Sequence, residues 1–252
     1  MQKIHVLTQK EEIDSNKITH CTVVIIDVLL ATSTIAVCLH HGAKEVIPVF
    51  DEEEAFKVAR SLPGDSYVLA GEKGGHTIEG FLNPDPISLL ELNLTDKTLI
   101  LCTTNGTVGI RKSMMAKTVY SSSFLNGSTV AKQIQKNRDD SSVLIVCAGS
   151  DNRFSMEDFL GAGYLISELL KENEQTWALS DSAEAAYQLY KYRVPYLQQD
   201  LQKSSTGILL TKLGYKEAIP YVAQSGLLPV VPCLVENNLV MKDIINEVNV
   251  KK

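Results

Sequence analysis

The chain has 252 residues, 44% of them hydrophobic and 21% charged, with a formal net charge of -6. That length allows one large core or two modest ones, the composition is that of a globular protein rather than a disordered one, and an acidic balance without any basic block argues against nucleic acid as the main partner. No apolar run reaches the length of a membrane span, and MQKIHVLTQKEEIDSNK lacks the apolar core of a signal peptide, so a cytoplasmic protein with no membrane partner is expected.

The five cysteines, at 21, 38, 102, 147 and 233, are odd in number and widely spaced, without a CxxC pair. Neither a disulfide framework nor a thiolate zinc site follows, and Cys102 and Cys147 fall inside apolar runs where a thiol packs rather than reacts.

In chain order, the first strong signal is TVVIIDVLLATST, Thr22 to Thr34. A continuous β-branched run reads as a strand buried on both faces, the habit of a parallel sheet, and Asp27 sits where that strand ends. Ligands of open α/β sheets bind outside the carboxyl ends of the strands, so Asp27 is either a site residue or the cap of the following helix. The spacing of apolar residues then predicts a helix from Ala31 to His41, stopped by Gly42. A strand over Glu45–Phe50 and a helix opened by Asp51 and an acidic first turn follow. SYVLAGE, KTLILCTTNG, KTVYSSSFLNG and SSVLIVCAGSDN repeat the arrangement of apolar strand, small polar residues and helix. Such alternation predicts a three-layer α/β/α fold around a mostly parallel sheet.

From Ser155 the pattern turns helical, with Ser155 as N-cap and Asp158 three residues on, a variant of the capping box. Helices are expected over Asp181–Tyr192, Tyr196–Lys203 and Gly214–Gln224, and then LLPVVPCLV, a β-rich segment whose prolines suit a sheet edge. The chain reads as a single domain spanning 1–252, with a helical subdomain inserted at about 155–226.

The strand ends carry Asp27, Gly71-Glu72, Thr103 to Gly106, Ser121 to Ser123 and Gly149 to Asn152. On parallel strands all of these converge on one edge, which should be the active site. Three phosphatase chemistries can be tested there. A haloacid-dehalogenase pattern needs a second carboxylate two residues after the first, where this chain has Leu29. A P-loop is absent from both GEKGGHT and TTNGT. Cys147 and Arg153 stand at the C-x5-R spacing of a thiolate phosphatase loop, but no adjacent His activates the thiol, and the competing reading pairs Arg153 with a nearby acid around a packed cysteine.

TTNGT is a better anion cradle: Thr103, Thr104 and Thr107 offer hydroxyls, Asn105 an amide, and Gly106 lets backbone N–H groups turn toward an anion. Its plainer reading is a tight turn whose Asn and Gly serve positive φ. GEKGGH is likewise either a binding loop carrying Glu72, Lys73 and His76 or an ordinary glycine-rich turn. Glu157 and Asp158, a quarter-turn apart at a helix start, would with Asp27 and Glu72 make an oxygen-rich site of the kind Mg2+ takes.

Taken together, DVLLATST, GEKGG, GFLNPDP, TTNGT, CAG and SMED, in that order along nearly the whole chain, resemble the 2-phosphosulfolactate phosphatases of the ComB type. The resemblance implies an α/β/α fold, a divalent metal, a role of the kind found in coenzyme M biosynthesis, and hydrolysis of a small anionic phosphate monoester, with 2-phosphosulfolactate first in line. Carried onto this chain it implies metal binding by Asp27 and by Glu157 or Asp158, and catalysis by Asp27, Glu72 and Asn105. Substrate contacts would come from Lys73, Thr103, Thr104, Gly106, Thr107 and Arg153. This chain departs from the pattern at Leu30, Lys73 and Ile208, where the family has Arg, and at Asp85, where it has Ser. Those departures motivate a second reading, a non-catalytic paralogue that binds an anionic metabolite or a partner protein. A homodimer is the default expectation for such an enzyme.

Overall fold

The structure is a computed structural model and describes residues 2–171 and 174–241. Its strands are β1 (Gln2–Leu7), β2 (Thr22–Ile26), β3 (Glu45–Val49), β4 (Tyr67–Lys73), β5 (His76–Thr77), β6 (Thr98–Cys102), β7 (Thr118–Ser122), β8 (Val143–Cys147), β9 (Trp177–Leu179), β10 (Pro232–Val235) and β11 (Asn238–Met241). They form a sheet in the order β5-β4-β6-β3-β11-β10-β7-β2-β8-β1-β9. Two parallel blocks, β4-β6-β3 and β7-β2-β8-β1-β9, are joined by the antiparallel β10–β11 hairpin. β2 lies at the centre of the larger block, its Val23 to Ile26 fully buried between β7 and β8. Truncating Ile25 or Ile26 to Ala would cost roughly 2–5 kcal/mol.

Helices cover both faces, which is why these strands read as unbroken apolar runs. They are α1 (Ala31–His40), α2 (Glu52–Arg60), α3 (Pro86–Leu90), α4 (Gly106–Lys112), α5 (Gly127–Lys136), α6 (Met156–Leu170), α7 (Asp181–Arg193), α8 (Leu197–Lys203), α9 (Ser205–Lys212) and α10 (Ala218–Val222). The α/β layering agrees with the expectation of a three-layer α/β/α fold on a mostly parallel sheet. Caps act as read: Asp51 accepts from the Glu54 N–H at 2.8 Å, and Ser155 accepts from the Asp158 N–H at 3.3 Å.

The stretch 155–226 contains more than helices. α6 packs on α5 and on the sheet strands β8 and β2, α7 packs on α6 and β1, and β9 extends the sheet beside β1. Two expectations are corrected. LLPVVPCLV does not form an edge: β10 sits mid-sheet between β7 and β11, and Pro232 is tolerated because it is the first residue of the strand. The helix expected over Gly214–Gln224 shortens to α10, because Gly214 (φ +92) terminates α9, with the Tyr215 N–H returning to the Leu210 carbonyl.

Candidate active site

A cleft opens at the carboxyl ends of β2, β4 and β6. Its walls include Asp27, Leu30, Glu72, Gly74, Thr104, Asn105, Asp151 and Leu209. The cleft thus lies where the polar strand ends converge, with one exception. Ser121 to Ser123 are buried away from it, because the chain from Gly226 to Val230 covers them: Gly226 N–H donates to the Phe124 carbonyl, Leu228 N–H to that of Leu125, and the Asn126 amide to that of Val230.

Asp27 lies on the floor of the cleft, 7% exposed. Burial, with the charges of Glu72 and Glu157 behind it, raises its carboxyl pKa from 3.8 to about 7. Its backbone is fixed by Thr32, whose hydroxyl accepts from the Asp27 N–H at 3.0 Å and donates to the Asp27 carbonyl at 2.7 Å. The Ser33 hydroxyl ties to the Val28 carbonyl and that of Thr34 to the Pro84 carbonyl, so the hydroxyls after Asp27 hold main chain rather than ligand.

Glu72 is a latch. Its Oε1 accepts from the Thr104 N–H at 2.7 Å, and its Oε2 accepts from the Thr104 hydroxyl at 3.0 Å and the Gly75 N–H at 2.7 Å. It thereby joins the β4–β5 turn to the turn after β6. Gly74 (φ +59) and Gly75 (φ +85) form the two-residue connection of that hairpin, so the plain turn reading of GEKGG holds for its backbone while the same turn walls the cleft. Lys73 alternates to the other side, exposed in a groove with Phe50, Asp51 and Cys102, and does not line the cleft.

The TTNGT hydroxyls are largely consumed by the turn itself. Thr107 Oγ1 accepts from the Thr103 N–H at 3.0 Å, Thr103 Oγ1 accepts from the Thr107 N–H at 3.1 Å, and both side chains are buried. Asn105 faces the cleft and accepts from Lys10 Nζ at 2.8 Å. Gly106 does not have positive φ; its role is close approach, since a Cβ there would lie 2.5 Å from Ala31 Cβ and 2.6 Å from Asp27 Oδ2.

At the start of α6 the two acids diverge. Asp158 is turned to main chain, Oδ1 accepting from the Val28 N–H at 2.9 Å and Oδ2 from the Gly149 N–H at 3.1 Å. It stitches the ends of β2 and β8 instead of reaching back to Ser155, so only half of the capping box forms. Burial, then Asp27 and Glu157, push its carboxyl well above the usual range. Glu157, equally buried, lines a second groove that shares Ser150 and Thr206 with the cleft. In that groove Arg193 is held bidentately by Asp200 at 2.7 and 2.5 Å.

Among the described residues, no group of three or more His, Cys, Asp or Glu side chains converges to cage a metal. Of the acids expected at a metal, Asp158 has both oxygens accepting backbone N–H groups. Asp27 and Glu157 remain, both buried; the charge of Glu157 adds to the cost of ionising Asp27, and a small hard cation that takes one or two carboxylates and keeps its waters fits that pair.

Of the two readings of the Cys147–Arg153 spacing, the packed cysteine with Arg153 beside an acid is the one the structure agrees with. Cys147 is fully buried and its pKa is driven well above the ordinary range by burial and by Asp158, whereas Arg153 is 80% exposed and faces Asp151 at 3.8 Å. Arg153 does not line the cleft, and among the described residues that do there is no Lys, Arg or His. Leu30, in contrast, is part of the wall. Lys10 escaped the sequence reading: QKEE looks like a solvated charge run, and only the tertiary contacts bury it.

The family profile for 2-phosphosulpholactate phosphatase matches residues 7–237. Proteins called probable 2-phosphosulfolactate phosphatase resemble the chain closely: one from Clostridium beijerinckii is 36% identical over 231 residues, covering 91% of this chain and 95% of its own. Another, from Carboxydothermus hydrogenoformans, is 39% identical over 211 residues, 83% and 84% of the two chains, and one from Caldanaerobacter subterraneus is 38% identical over 216 residues, 84% and 87%. A match of this extent places the chain in the 2-phosphosulfolactate phosphatase family.

Proposed function

We propose that the protein hydrolyses a small anionic phosphate monoester with the help of Mg2+ held by Asp27 and Glu157, and that 2-phosphosulfolactate, the substrate in its relatives' names, is the first to test. The observation that carries this reading is the buried Asp27 carboxyl at the floor of the cleft, which burial, Glu72 and Glu157 hold near pH 7. The Ala31 N–H and the Lys10 charge offset only part of that penalty, and buried acids in this position call for a cation. What a divalent cation supplies when bound is neutralisation of charge on the phosphoryl oxygens.

The chain's own residues would do the rest. The Asn105 NH2 donates to the phosphoryl oxygens, where a preorganised donor is worth most. Asp27 takes the proton released by the attacking water. Glu72, assigned acid/base work by the resemblance, is better suited to hold the two loops, since three donors already engage its oxygens. Lys73 and Arg153 lie off the cleft and have no part in this reading.

The test is phosphate release from 2-phosphosulfolactate and a panel of phospho-acids, with Mg2+ and with EDTA, alongside Asp27→Ala. Release that needs Mg2+ and fails in Asp27→Ala supports the proposal, and release in EDTA overturns its metal dependence. The Leu30 wall and the lack of a lining cation favour one rival, a paralogue that binds without turnover. Silence of the wild type on every substrate, with retained binding of phosphate, would establish that rival.

A further inference from the structure

Lys10 sits in a short turn, Lys10–Glu12, packed against α4, and it is 5% exposed. A lysine so buried is rare unless its ammonium is fully paired. Its Nζ is 2.8 Å from Asn105 Oδ1, 2.9 Å from Glu11 Oε1 and 3.4 Å from the Ala148 carbonyl oxygen. An ammonium has three N–H donors and no acceptor, so these three oxygens occupy it. Lys10 therefore has no donor left for a ligand; at the cleft it acts through the groups it holds and, to a smaller extent, through its charge, which eases the ionisation of Asp27.

The same count fixes the amide it touches. Because Lys10 can only donate, the atom of Asn105 facing it must be the oxygen, and the group left for the cleft is the NH2. With the amide reversed, two sets of N–H donors would confront each other next to a buried charge, and the cleft would present an oxygen to an anion. We propose that Lys10 is a positioning residue of the phosphoryl site, locking Asn105 with its NH2 group toward the phosphoryl oxygens. The proposal rests on the reading of the cleft as a phosphoryl site. It adds a residue outside all the motifs of the chain, and it explains why a lysine is buried beside a turn that no motif includes.

The test is a double-mutant cycle of Lys10→Met and Asn105→Ala, read by calorimetric affinity for inorganic phosphate and by kcat and KM on the ester that the wild type hydrolyses. Each single change is expected to weaken phosphate binding about tenfold and to lower kcat about 100-fold, the lower end of the scale for losing one preorganised donor. If Lys10 acts through Asn105, adding Lys10→Met to Asn105→Ala costs no more than about twofold further. Losses that multiply in the double variant would overturn the proposal, since a merely structural lysine is indifferent to what stands at 105.

Lys10→Arg should restore part of the loss, because it keeps a donor against Oδ1. Asn105→Asp guards against misfolding of the Lys10 variants. Its carboxylate still accepts from Lys10 and should keep the wild-type melting temperature, yet it has no NH2 to offer. Wild-type phosphate affinity in Asn105→Asp would overturn the proposal. A wild-type protein that neither binds phosphate nor hydrolyses any phosphomonoester would overturn the phosphoryl reading itself and this proposal with it, an outcome visible before any variant is made.

Discussion

Gly106→Ala isolates the contact that sets α4 against the floor of the cleft. The new Cβ would stand 2.5 Å from Ala31 Cβ, 2.6 Å from Asp27 Oδ2 and 3.1 Å from Asp27 Cβ. Carbon atoms in good contact lie about 3.5–4.0 Å apart, so something must yield by about 1 Å. The carboxylate can turn away, but Ala31 has no rotamer to change and both it and Asp27 are pinned, Asp27 by Thr32 on its backbone and Ala31 in the first turn of the buried α1. The start of α4 must therefore back off, and Asn105 moves with it. Overpacking of this kind costs about 1–3 kcal/mol. At about 2–4 °C per kcal/mol for a chain of this length, the melting temperature should fall by about 2–12 °C. Activity should fall further, by about 100-fold, because a displacement near 1 Å at the reacting groups is that expensive. Scanning calorimetry and kcat/KM measure the two, with Gly64→Ala as the control, since a Cβ there meets nothing within 4 Å. A Gly106→Ala protein with the melting temperature and kcat/KM of the control would refute the reasoning.

The buried Asp27 predicts a pH dependence. Its carboxyl ionises near 3.8 when unfolded and near 7 when folded, so between those values the folded state holds the extra proton, and stability of the metal-free protein should fall as pH rises from about 4 to about 7, with the raised Asp158 carboxyl adding a loss of the same sign. Added MgCl2 should raise the melting temperature more at pH 8 than at pH 5; equal shifts at both would count against Asp27 as a cation ligand. Cys147→Ala should turn over within about twofold of wild type, and native Cys147 should resist iodoacetamide, because the thiol is buried and Arg153 faces solvent; a loss beyond tenfold would revive the thiolate reading. Leu30→Arg puts a guanidinium in the wall of the cleft, and a charge-assisted bond worth about 1.5–3 kcal/mol should raise kcat/KM on 2-phosphosulfolactate at least tenfold. A variant folded by circular dichroism but no better on that substrate would show that the departure at Leu30 does not set specificity.

The alternation of strands and helices was legible because its signals are local. β2, β6 and β8 are buried on both faces and so carry no polar residue to break the run, and α2 announces itself with Asp51 and three glutamates. The β10–β11 hairpin has no such signal for its position. It enters the sheet through Cys233 opposite Tyr120 and Leu239 opposite Val46, pairs more than a hundred residues apart in sequence, and a proline that would be fatal mid-strand is harmless at Pro232. Edge preference is a rule about missing N–H groups, and at the first residue of a strand the rule does not apply.

At the cleft, residue type and position were legible while direction was not. Thr104 and Asn105 are neighbours with equal claims as ligands, yet Thr104 spends its N–H and hydroxyl on Glu72, and Asn105 spends only its oxygen. Glu157 and Asp158 are neighbours of the same charge, and Asp158 is bound at both oxygens by Val28 and Gly149. Because a buried polar group must find partners, those satisfied within the fold are accounted for by the fold. What is left over at the end of β2 is the Asp27 carboxyl and the NH2 of Asn105 in the cleft, with Glu157 in the adjoining groove close enough for its charge to act on Asp27. That remainder has the composition a cation and a phosphoryl group would complete, and it depends on a lysine at position 10 whose burial only the folded chain reveals.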